Sequence, residues 1–379
     1  MEANSLVPKL RFKQDDGKNY PNWEKKKLGD VGKVKMCKRV FSNQTTLEGS
    51  IPFYKIGTFG KEADAFIGRD LYNDLKLKFS YPKVGEILIS ASGTLGRTVV
   101  FDGTPSYYQD SNIVWLENNE ELITNNFLYY IYQIVRFDSE GGTIQRLYNN
   151  IILSTKFYKP SLTEQNKIAS FLTSEDNKIN LLTKKKALLE TYKKGVMQKI
   201  FSQEIRFKDE EGNDFPDWEE KQLGEILSIA SGRDYKNLGK GDIPVYGTGG
   251  LMTRVDKYLY EGDSVGIGRK GTIDKPVMLR GKFWTVDTLF YTHNFINSTP
   301  KFVFYLFQRI AWYRYNEASG VPSLSKKTIE KILKPFPSYR EQYKIADFLS
   351  SIDKKIEQVD FQLDRNKEFK KGLLQQMFV

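Results

Sequence analysis

The chain has 379 residues, of which 40% are hydrophobic, and it carries a formal net charge of +11. This length favours two or three domains. No stretch approaches the roughly 18 uninterrupted apolar residues that indicate a membrane span, so a membrane span is excluded. One cysteine, Cys37, and one histidine, His293, exclude a disulfide framework and a zinc cluster within the chain. Residues 1–5 show no secretion signal, so we expect a cytoplasmic protein. The positive charge favours a polyanionic partner, but it is spread along the chain, so a binding surface must be assembled by folding.

Residues 1–159 are predicted to form a mixed α/β domain. The domain opens with a segment at residues 10–29 that contains Arg11-Phe12-Lys13, Gly17, Pro21, Trp23 and Leu28-Gly29. Strands are predicted at residues 86–90, 98–101 and 112–116, because β-branched and aromatic residues cluster there between glycine and Asp-Gly turns. A helix is predicted over residues 125–135.

A long helix is predicted over residues 160–202. From Ile168 onward, alternating steps of four and three residues meet an apolar side chain at seven of ten positions, which is the spacing of a coiled-coil seam. Pro160 stands just before the helix, where its missing N–H costs nothing, and Glu164 suits the positive end of the helix dipole. The predicted seam consists of Ile168, Leu172, Ile179, Leu182, Leu189 and Val196.

The rest of the chain repeats this order. The opening segment recurs 195 residues later, at residues 205–224, with ten identities among the 22 aligned positions from residue 10 to 31. The helix entry at residues 160–172 recurs 177 residues later, at residues 337–349. The two halves therefore have similar ends and divergent middles, which indicates a shared frame that presents two different surfaces. The second domain is expected over residues 203–336, with strands at 264–267, 276–279 and 289–291 and a helix at 300–309.

A second long helix is predicted over residues 337–379. When the same alternating steps start at Ile345, they meet an apolar side chain at eight of ten positions. Its predicted seam consists of Ile345, Leu349, Ile352, Ile356, Val359 and Leu363. A seam this narrow needs a partner, and the simplest partner is the other long helix in antiparallel orientation; the alternative is that each helix packs on its own domain. Polar residues within the two seams, among them Lys186, Lys193 and Lys370, are expected to fix the register. The predicted fold class is α/β (α+β): two globular domains of mixed α/β structure joined by two long helices that form an antiparallel coiled coil, with an internal pseudo-two-fold repeat.

Motifs for catalysis have little support in this sequence. Residues 266–271 match G-x-G-x-x-G, but a strand-like run follows where a dinucleotide site needs a helix. The carboxylates at Asp217 and Glu219 lie in one short segment, whereas a metal site needs carboxylates that converge from separate elements. His293 has no obvious catalytic partner. We therefore predict a non-catalytic chain with no metal or cofactor of its own.

The candidate recognition residues are polar and aromatic clusters in the divergent middle segments of the two halves. Side chains such as Arg, Lys, Gln and Asn can form paired contacts to base edges, while Ser, Thr and glycine-loop N–H groups suit phosphates. The candidates in the first half are Lys55, Ser90, Ser92, Thr94, Arg97, Tyr108 and Gln109. Those in the second half are Arg233, Tyr246, Thr248, Arg254, Arg269, Lys270 and Thr272.

These repeats resemble the specificity (S) subunit of Type I restriction–modification systems. The resemblance covers nearly the whole chain. It rests on the entry Arg-Phe-x4-Gly-x3-Pro-x-Trp-x4-Leu-Gly at residues 11–29 and 206–224, and on the helix entry at residues 164–172 and 341–349. It implies two target-recognition domains, at residues 1–159 and 203–336, each followed by a conserved helix, at residues 160–202 and 337–379.

The resemblance also implies the partners. Such a chain reads a bipartite DNA sequence with an unspecified gap in double-stranded DNA, and it binds two methyltransferase (M) subunits and, in the full complex, two restriction (R) subunits. S-adenosylmethionine, ATP and magnesium are expected on those partners, and no membrane is involved. Two alternatives stay open at this point: a coiled-coil adaptor that binds only proteins, and a nuclease or methyltransferase fused to a DNA-binding domain, against which the missing motifs argue.

Overall fold

A computed structural model describes residues 7–137 and 146–379 of the chain. The chain divides into two compact units: the first unit is Met1–Leu182 with Gln362–Val379, and the second unit is Thr183–Phe361. Each unit therefore contains one end of each long helix. The finer four-part division predicted at residues 159, 202 and 336 stays a prediction. Among residues 7–137 and 146–379, no helix combines the length and the apolar character that crossing a bilayer requires.

The first unit begins with short strands and helices. Its strands are β1 (Glu24–Lys27), β2 (Lys33–Met36), β3 (Thr45–Thr46), β4 (Ile51–Tyr54), β5 (Phe66–Ile67), β6 (Ile87–Ser90), β7 (Thr98–Val100), β8 (Tyr107–Tyr108), β9 (Ile113–Glu117) and β10 (Lys156–Lys159). Its short helices are α1 (Arg69–Lys78), α2 (Asn125–Ile134) and α3 (Asn149–Ser154), with 3-10 turns at Leu28–Asp30 and Ser42–Gln44.

Three sheets organise the first unit. An antiparallel ribbon pairs β1 with β10, a central sheet has the order β2-β9-β6-β7, and a smaller sheet has the order β3-β5-β4-β8 with β4 and β8 parallel. Strand β6 is buried along its whole length because both of its faces are covered. Ile87 and Ile89 enter a core with α2, while Leu88 points into the core of the smaller sheet, as the alternation of side chains along a strand requires.

The long helix α4 (Leu162–Phe201) leads from the first unit into the second. Its strands are β11 (Glu219–Gln222), β12 (Ser228–Ser231), β13 (Ile243–Gly247), β14 (Gly250–Val255), β15 (Tyr260–Glu261), β16 (Ser264–Gly268), β17 (Val277–Leu279), β18 (Lys282–Thr285), β19 (Leu289–His293) and β20 (Leu333–Phe336). Its helices are α5 (Leu223–Ile226), α6 (Pro300–Phe307) and α7 (Lys326–Glu330), with a 3-10 turn at Trp312–Tyr315, and α8 (Tyr339–Met377) follows.

The ribbon and the central sheet of the second unit match those of the first, and the smaller sheets of both units contain one parallel pair of strands. The ribbon is β11 with β20, the central sheet has the order β12-β19-β16-β17, and the smaller sheet has the order β14-β13-β18-β15 with β13 and β18 parallel. The two units differ between these shared strands: the first has α1, whereas the second has the hairpin of β13 and β14. The predicted α/β class and internal repeat are confirmed, and the predicted strands and helices lie within two residues of the observed bounds.

The long helices pack against each other antiparallel. In the first unit, Ile168 and Leu172 near the start of α4 share a core with Leu373 and Met377 near the end of α8. In the second unit, Ile200 near the end of α4 shares a core with the start of α8. The alternative in which each helix packs only on its own domain is therefore excluded.

Candidate nucleic-acid interface

The frame of each unit is fixed by a buried ion pair at the start of a long helix. In the first unit, Arg11 Nε lies 2.6 Å from Glu164 Oε1 and Arg11 Nη2 lies 2.8 Å from Glu164 Oε2. In the second unit, Arg206 donates to both oxygens of Glu341 at 3.1 and 2.9 Å. Both carboxylates are fully buried. Two parallel N–H···O bonds give such a pair a defined geometry, so the repeated Arg and Glu attach the opening segment to its helix.

The glutamine that follows each glutamate attaches the helix to the loop before α2 or α6. Gln165 Nε2 donates to the Leu122 and Pro160 carbonyls at 3.0 Å each, and its Oε1 accepts from the Thr124 amide at 2.9 Å. Gln342 makes the equivalent bonds, donating to the Asn297 and Pro337 carbonyls at 3.1 Å each. The Glu-Gln pair of the repeat is therefore structural, because buried polar groups need such partners.

A second repeated cluster, which we call the clasp, joins each domain to the helix pair. In the first unit, Tyr130 donates to Asp176 Oδ2 at 2.9 Å, and Lys370 lies 2.6 Å from Asp176 Oδ1 and 5.5 Å from the centre of the Tyr130 ring. The first clasp thus contains one residue from α2, one from α4 and one from α8.

The clasp of the second unit has the same chemistry. Tyr305 donates to Asp353 Oδ2 at 2.7 Å, and Lys193 lies 2.6 Å from Asp353 Oδ1 and 5.3 Å from the centre of the Tyr305 ring. Burial, and then the hydrogen bond to Asp353, raise the pKa of Tyr305 above its ordinary value, so the phenol stays a protonated donor.

The register of the helix pair follows from two ion pairs of the second unit. Lys186 lies 2.6 Å from Asp360, and Lys193 lies 2.6 Å from Asp353. Seven residues forward on α4 therefore correspond to seven residues backward on α8. The lysines expected to fix the register do contact carboxylates of the opposite helix.

None of the twelve predicted seam residues is exposed to solvent. Seven are buried: Ile168, Leu172, Ile345, Leu349, Ile352, Val359 and Leu363. The other five are half-buried: Ile179, Leu182, Leu189, Val196 and Ile356.

In the first unit, the predicted recognition residues separate into surface and interior positions. Ser90, Ser92 and Tyr108 are buried. The Ser90 hydroxyl donates to the Thr94 carbonyl at 2.5 Å and accepts from the Arg97 amide at 2.8 Å, so Ser90 closes the loop after β6. A buried side chain cannot reach a ligand without moving, so these three residues are less accessible than the other candidates, and DNA contact by any of the seven stays a prediction.

The remaining four candidates of the first unit lie at or near the surface. Lys55 pairs with exposed Asp64 at 2.9 Å, and Thr94 is exposed. The Arg97 guanidinium donates to the Phe59 carbonyl at 2.8 Å, and Gln109 Oε1 accepts from the Ile56 amide at 3.0 Å. Lys55 and Thr94 are therefore the freest side chains of this set.

In the second unit, four candidates are exposed cations: Arg233, Arg254, Arg269 and Lys270. Arg254 donates to the Asp242 carbonyl at 2.7 Å, at the base of the β13–β14 hairpin. The other three candidates are half-buried: Tyr246, Thr248 and Thr272.

Arg269 and Lys270 line a cleft of about 810 Å³ in the second unit. Lys326 adds a third cation, while Asp287 and Glu317 add carboxylates. Hydrogen bonds from the hydroxyls of Thr328 and Ser325 lower the pKa of Glu317 below its ordinary value. The cleft therefore presents both donors and acceptors, which suits polar contacts to phosphates and to base edges.

The glycines of the G-x-G-x-x-G match, at residues 266–271, lie at the end of β16 and in the turn that follows it. A Cβ atom at Gly268 would lie 2.0 Å from the Thr272 carbonyl oxygen, and Gly271 has a φ of +89°. Strand β17 follows, so the glycines permit a tight strand-to-strand turn that carries Arg269 and Lys270.

Sequence reasoning missed the clasp. The sequence predicted Lys193 and Lys370 as polar seam residues but not their partners. Asp176 and Asp353 are identical at the same 177-residue offset, so extending the alignment of the helix entries would have found them. The tyrosines lie outside that alignment, and only folding brings them to the helices.

The chain is a duplicated binding protein, in which the same arrangement of sheets, buried ion pair and clasp is built twice and carries two different sets of surface loops. The model of the Type I restriction modification DNA specificity domain matches residues 20–191 and 216–362. The chain therefore belongs to this family, as a DNA specificity subunit, and the adaptor alternative is not favoured. Specificity subunits are the non-catalytic subunits of their systems.

Individual relatives agree with the family. A putative type I restriction enzyme specificity subunit, S.HindORF215P of Haemophilus influenzae, is 56% identical over 157 residues, which is 41% of this chain and 41% of that relative. The MjaVIII specificity subunit of Methanocaldococcus jannaschii is 25% identical over 91% of this chain and 90% of its own. The crystal structure of an S subunit from M. genitalium has the same fold, with a TM-score of 0.69, 19% identity, and coverage of 98% of this chain and 99% of that one.

Proposed function

We propose that this chain reads a bipartite DNA target with an unspecified gap, and that each unit recognises one part of the target. The observation that carries this proposal is the duplication of the frame around different loops. The buried Arg–Glu pair, the glutamine bonds and the clasp occur in both units, whereas α1 and the β13–β14 hairpin each occur in one. A duplicated frame with different loops suits two different half-sites.

The DNA contacts are proposed to come from the exposed candidates. In the second unit these are Arg233, Arg254, Arg269 and Lys270, and in the first unit Lys55 and Thr94 are the freest side chains. The net charge of +11 supports binding to a polyanion. We expect arginines and lysines of this kind to give salt-dependent affinity through phosphates and, where they reach a groove, specificity through base edges.

The frames are proposed to position two methyltransferase subunits, together with two restriction subunits in the full complex. Two similar frames can offer two similar docking faces, as two identical partners require. In this proposal the adenine methyltransferase and ATP-dependent endonuclease activities belong to the complex. S-adenosylmethionine, ATP and magnesium are held by the partner subunits.

The test is to sequence methylated adenines in a host that expresses this chain together with its methyltransferase subunit. We expect one motif made of two specified parts that are separated by a gap of constant length. A motif that is contiguous, or no sequence-specific methylation by an active methyltransferase, would contradict the proposal. Salt-dependent retention of DNA by the same complex gives an independent readout of binding.

A further inference from the structure

The sheets and short helices of each unit, which we call its globular part, are attached to a long helix at two points. The first point is the buried ion pair in the first turn of the helix, at Glu164 in the first unit and at Glu341 in the second. The second point is the clasp, at Asp176 and Asp353, which each follow the glutamate of the same helix by twelve residues. Twelve residues of helix span about 18 Å. A single attachment would let the globular part pivot, whereas two separated attachments fix the direction in which it points.

The first clasp connects three helices at one place. Tyr130 of α2 donates to Asp176 of α4, and its hydroxyl oxygen lies 3.1 Å from that of Thr173 on the same helix. Lys370 of α8 pairs with Asp176, and its Nζ also donates to Gln133 Oε1 of α2 at 3.1 Å. The globular part is therefore bonded to both long helices and not only to α4.

The second clasp repeats this arrangement with the helices exchanged. Tyr305 of α6 donates to Asp353 of α8, and Lys193 of α4 pairs with Asp353. Gln308 stands three residues after Tyr305, as a glutamine does after the tyrosine of the first clasp, and lines a cleft with Lys193 and Asp353. The same polar contact thus occurs in both units, although the loops between their shared strands differ.

The clasps are polar contacts in mostly buried positions. The side chains of Lys370 and Asp176 are 15% and 23% exposed, and those of Lys193 and Asp353 are 17% and 26% exposed. A buried ion pair is weak evidence for stability, and its best-attested use is to specify one geometry. Hydrogen bonds are directional, so those of a clasp are satisfied at one rotation, whereas an apolar contact tolerates sliding. The clasps therefore suit the control of direction.

Direction matters because a small rotation at the helix becomes a large shift at the recognition loops. A globular part of this size has a diameter on the order of 30 Å. A rotation of about 6° about the helix then moves its far side by about 3.4 Å, which is the rise of one base pair. A clasp that opposes such a rotation keeps the recognition loops in place to within one base pair.

We propose that the two clasps determine how strictly the gap in the DNA target is read, because each holds one globular part at one rotation on the long helices. This inference rests on the proposed function, in which each unit reads one part of the target. A target with a gap one base pair too long or too short can be read in both parts only when a clasp gives way. Breaking one hydrogen bond to a charged group corresponds to about a 10- to 150-fold change in an equilibrium, so each clasp contributes discrimination of that order.

The test measures adenine methylation by the purified complex of the full chain with its methyltransferase subunits. The substrates are three duplexes that carry both parts of the target, with the native gap, with one base pair fewer and with one base pair more. We expect Tyr130→Phe and Tyr305→Phe each to lower the ratio of the native-gap rate to the altered-gap rate by about 10-fold or more, and the double variant to lower it further. Lys370→Met keeps the tyrosine–aspartate bond of the first clasp and should also lower the ratio.

Two control variants separate position from stability. Tyr132→Phe is the matched control, because Tyr132 lies on the same helix α2 and its buried hydroxyl has no hydrogen-bond partner among the described residues. Val114→Ala removes buried core packing from β9, outside the clasp, and so lowers the stability of the first unit. Both controls should keep the wild-type ratio. If Val114→Ala relaxes the gap as much as Tyr130→Phe, the effect follows from lost stability and the inference is wrong.

The remaining outcomes distinguish the inference from the proposed function. Unchanged ratios in both tyrosine variants and in Lys370→Met would overturn the inference and leave the proposed function intact, since the wild-type chain would still read two parts at a constant gap. A tyrosine variant that accepts different bases within one part, at an unchanged gap, would show that the clasp shapes the recognition surface, and would also overturn the inference. If the wild-type complex methylates all three duplexes equally, the constant gap of the proposed function fails, and the inference fails with it.

Discussion

The two buried ion pairs allow one prediction to be made within a single molecule, because one of the two buried glutamates also accepts a hydrogen bond from a tryptophan and the other, among the described residues, does not. Arg11→Ala leaves the Glu164 carboxylate buried without its guanidinium, and Arg206→Ala does the same to Glu341. In the second unit, however, Trp218 Nε1 also donates to Glu341 Oε2 at 3.1 Å. In the first unit the equivalent indole N–H, of Trp23, is buried and has no hydrogen-bond partner among the described residues.

The expected losses in the free energy of unfolding follow from these interactions. Removing one partner of a buried ion pair costs about 3–5 kcal/mol in the free energy of unfolding. A hydrogen bond to a charged group contributes about 1.5–3 kcal/mol, and in Arg206→Ala the Trp218 bond still stabilises the carboxylate. We therefore expect Arg11→Ala to destabilise its unit more than Arg206→Ala destabilises the other, by about 1.5–3 kcal/mol.

Hydrogen exchange measures the two units separately. The amides of the β1–β10 ribbon report on the first unit and those of the β11–β20 ribbon on the second. The matched tryptophan variants test the cause: Trp218→Phe should cost its unit about 1.5–3 kcal/mol in hydrogen bonding, and Trp23→Phe should cost its own unit less. Equal losses for the two arginine variants, or a larger loss for Arg206→Ala, would show that the Trp218 hydrogen bond does not stabilise the Glu341 carboxylate.

Three further predictions concern charge and length. Burial raises the pKa of Glu86, so ionising this carboxyl group destabilises the folded chain. As the pH rises from about 4 toward neutrality, the free energy of unfolding in urea should therefore fall for the wild-type chain relative to Glu86→Gln. Parallel curves of unfolding free energy against pH for the two chains would contradict this prediction. The double variant Arg269→Ala and Lys270→Ala should weaken DNA binding by the complex. It should also make the slope of log affinity against log salt shallower by about one for each phosphate that is no longer bound. The control variant Lys208→Ala, in the opening segment of the same unit, should change neither the affinity nor the slope. Removing one heptad from the middle of each long helix shortens the helix by about 10 Å. At about 3.4 Å per base pair, the gap in the methylated motif should then shorten by about three base pairs, or DNA binding should be lost. An unchanged gap at full affinity would show that the long helices do not set the gap.

Much of the frame could be predicted from the sequence because its signals are local or repeated. Apolar periodicity identified the long helices, and the repeated segments around Arg11 and Glu164 identified the frame. Strand β6 was predictable because it is apolar on both faces, and the whole strand proved to be buried. The glycine turn after β16 was predictable as a turn because a strand-like run follows it.

The recognition loops could not be predicted in the same way. Ser90 and Tyr108 have the chemistry of surface contacts, but burial depends on which strands pair around them, and that is decided by contacts distant in sequence. The clasp tyrosines were missed for the same reason, since Tyr130 meets Asp176 only after the helices pack. The exposed Arg269 and Lys270, by contrast, follow from the turn that carries them.

In the proposed function, each unit specifies one part of the DNA target. The most direct measurement is to replace residues 228–325, the divergent middle of the second unit, with the corresponding segment of a relative that methylates a different sequence, and to sequence the methylated adenines. We expect one part of the motif to change to that of the relative, while the other part is retained. A motif in which both parts change, or in which neither does, would contradict it.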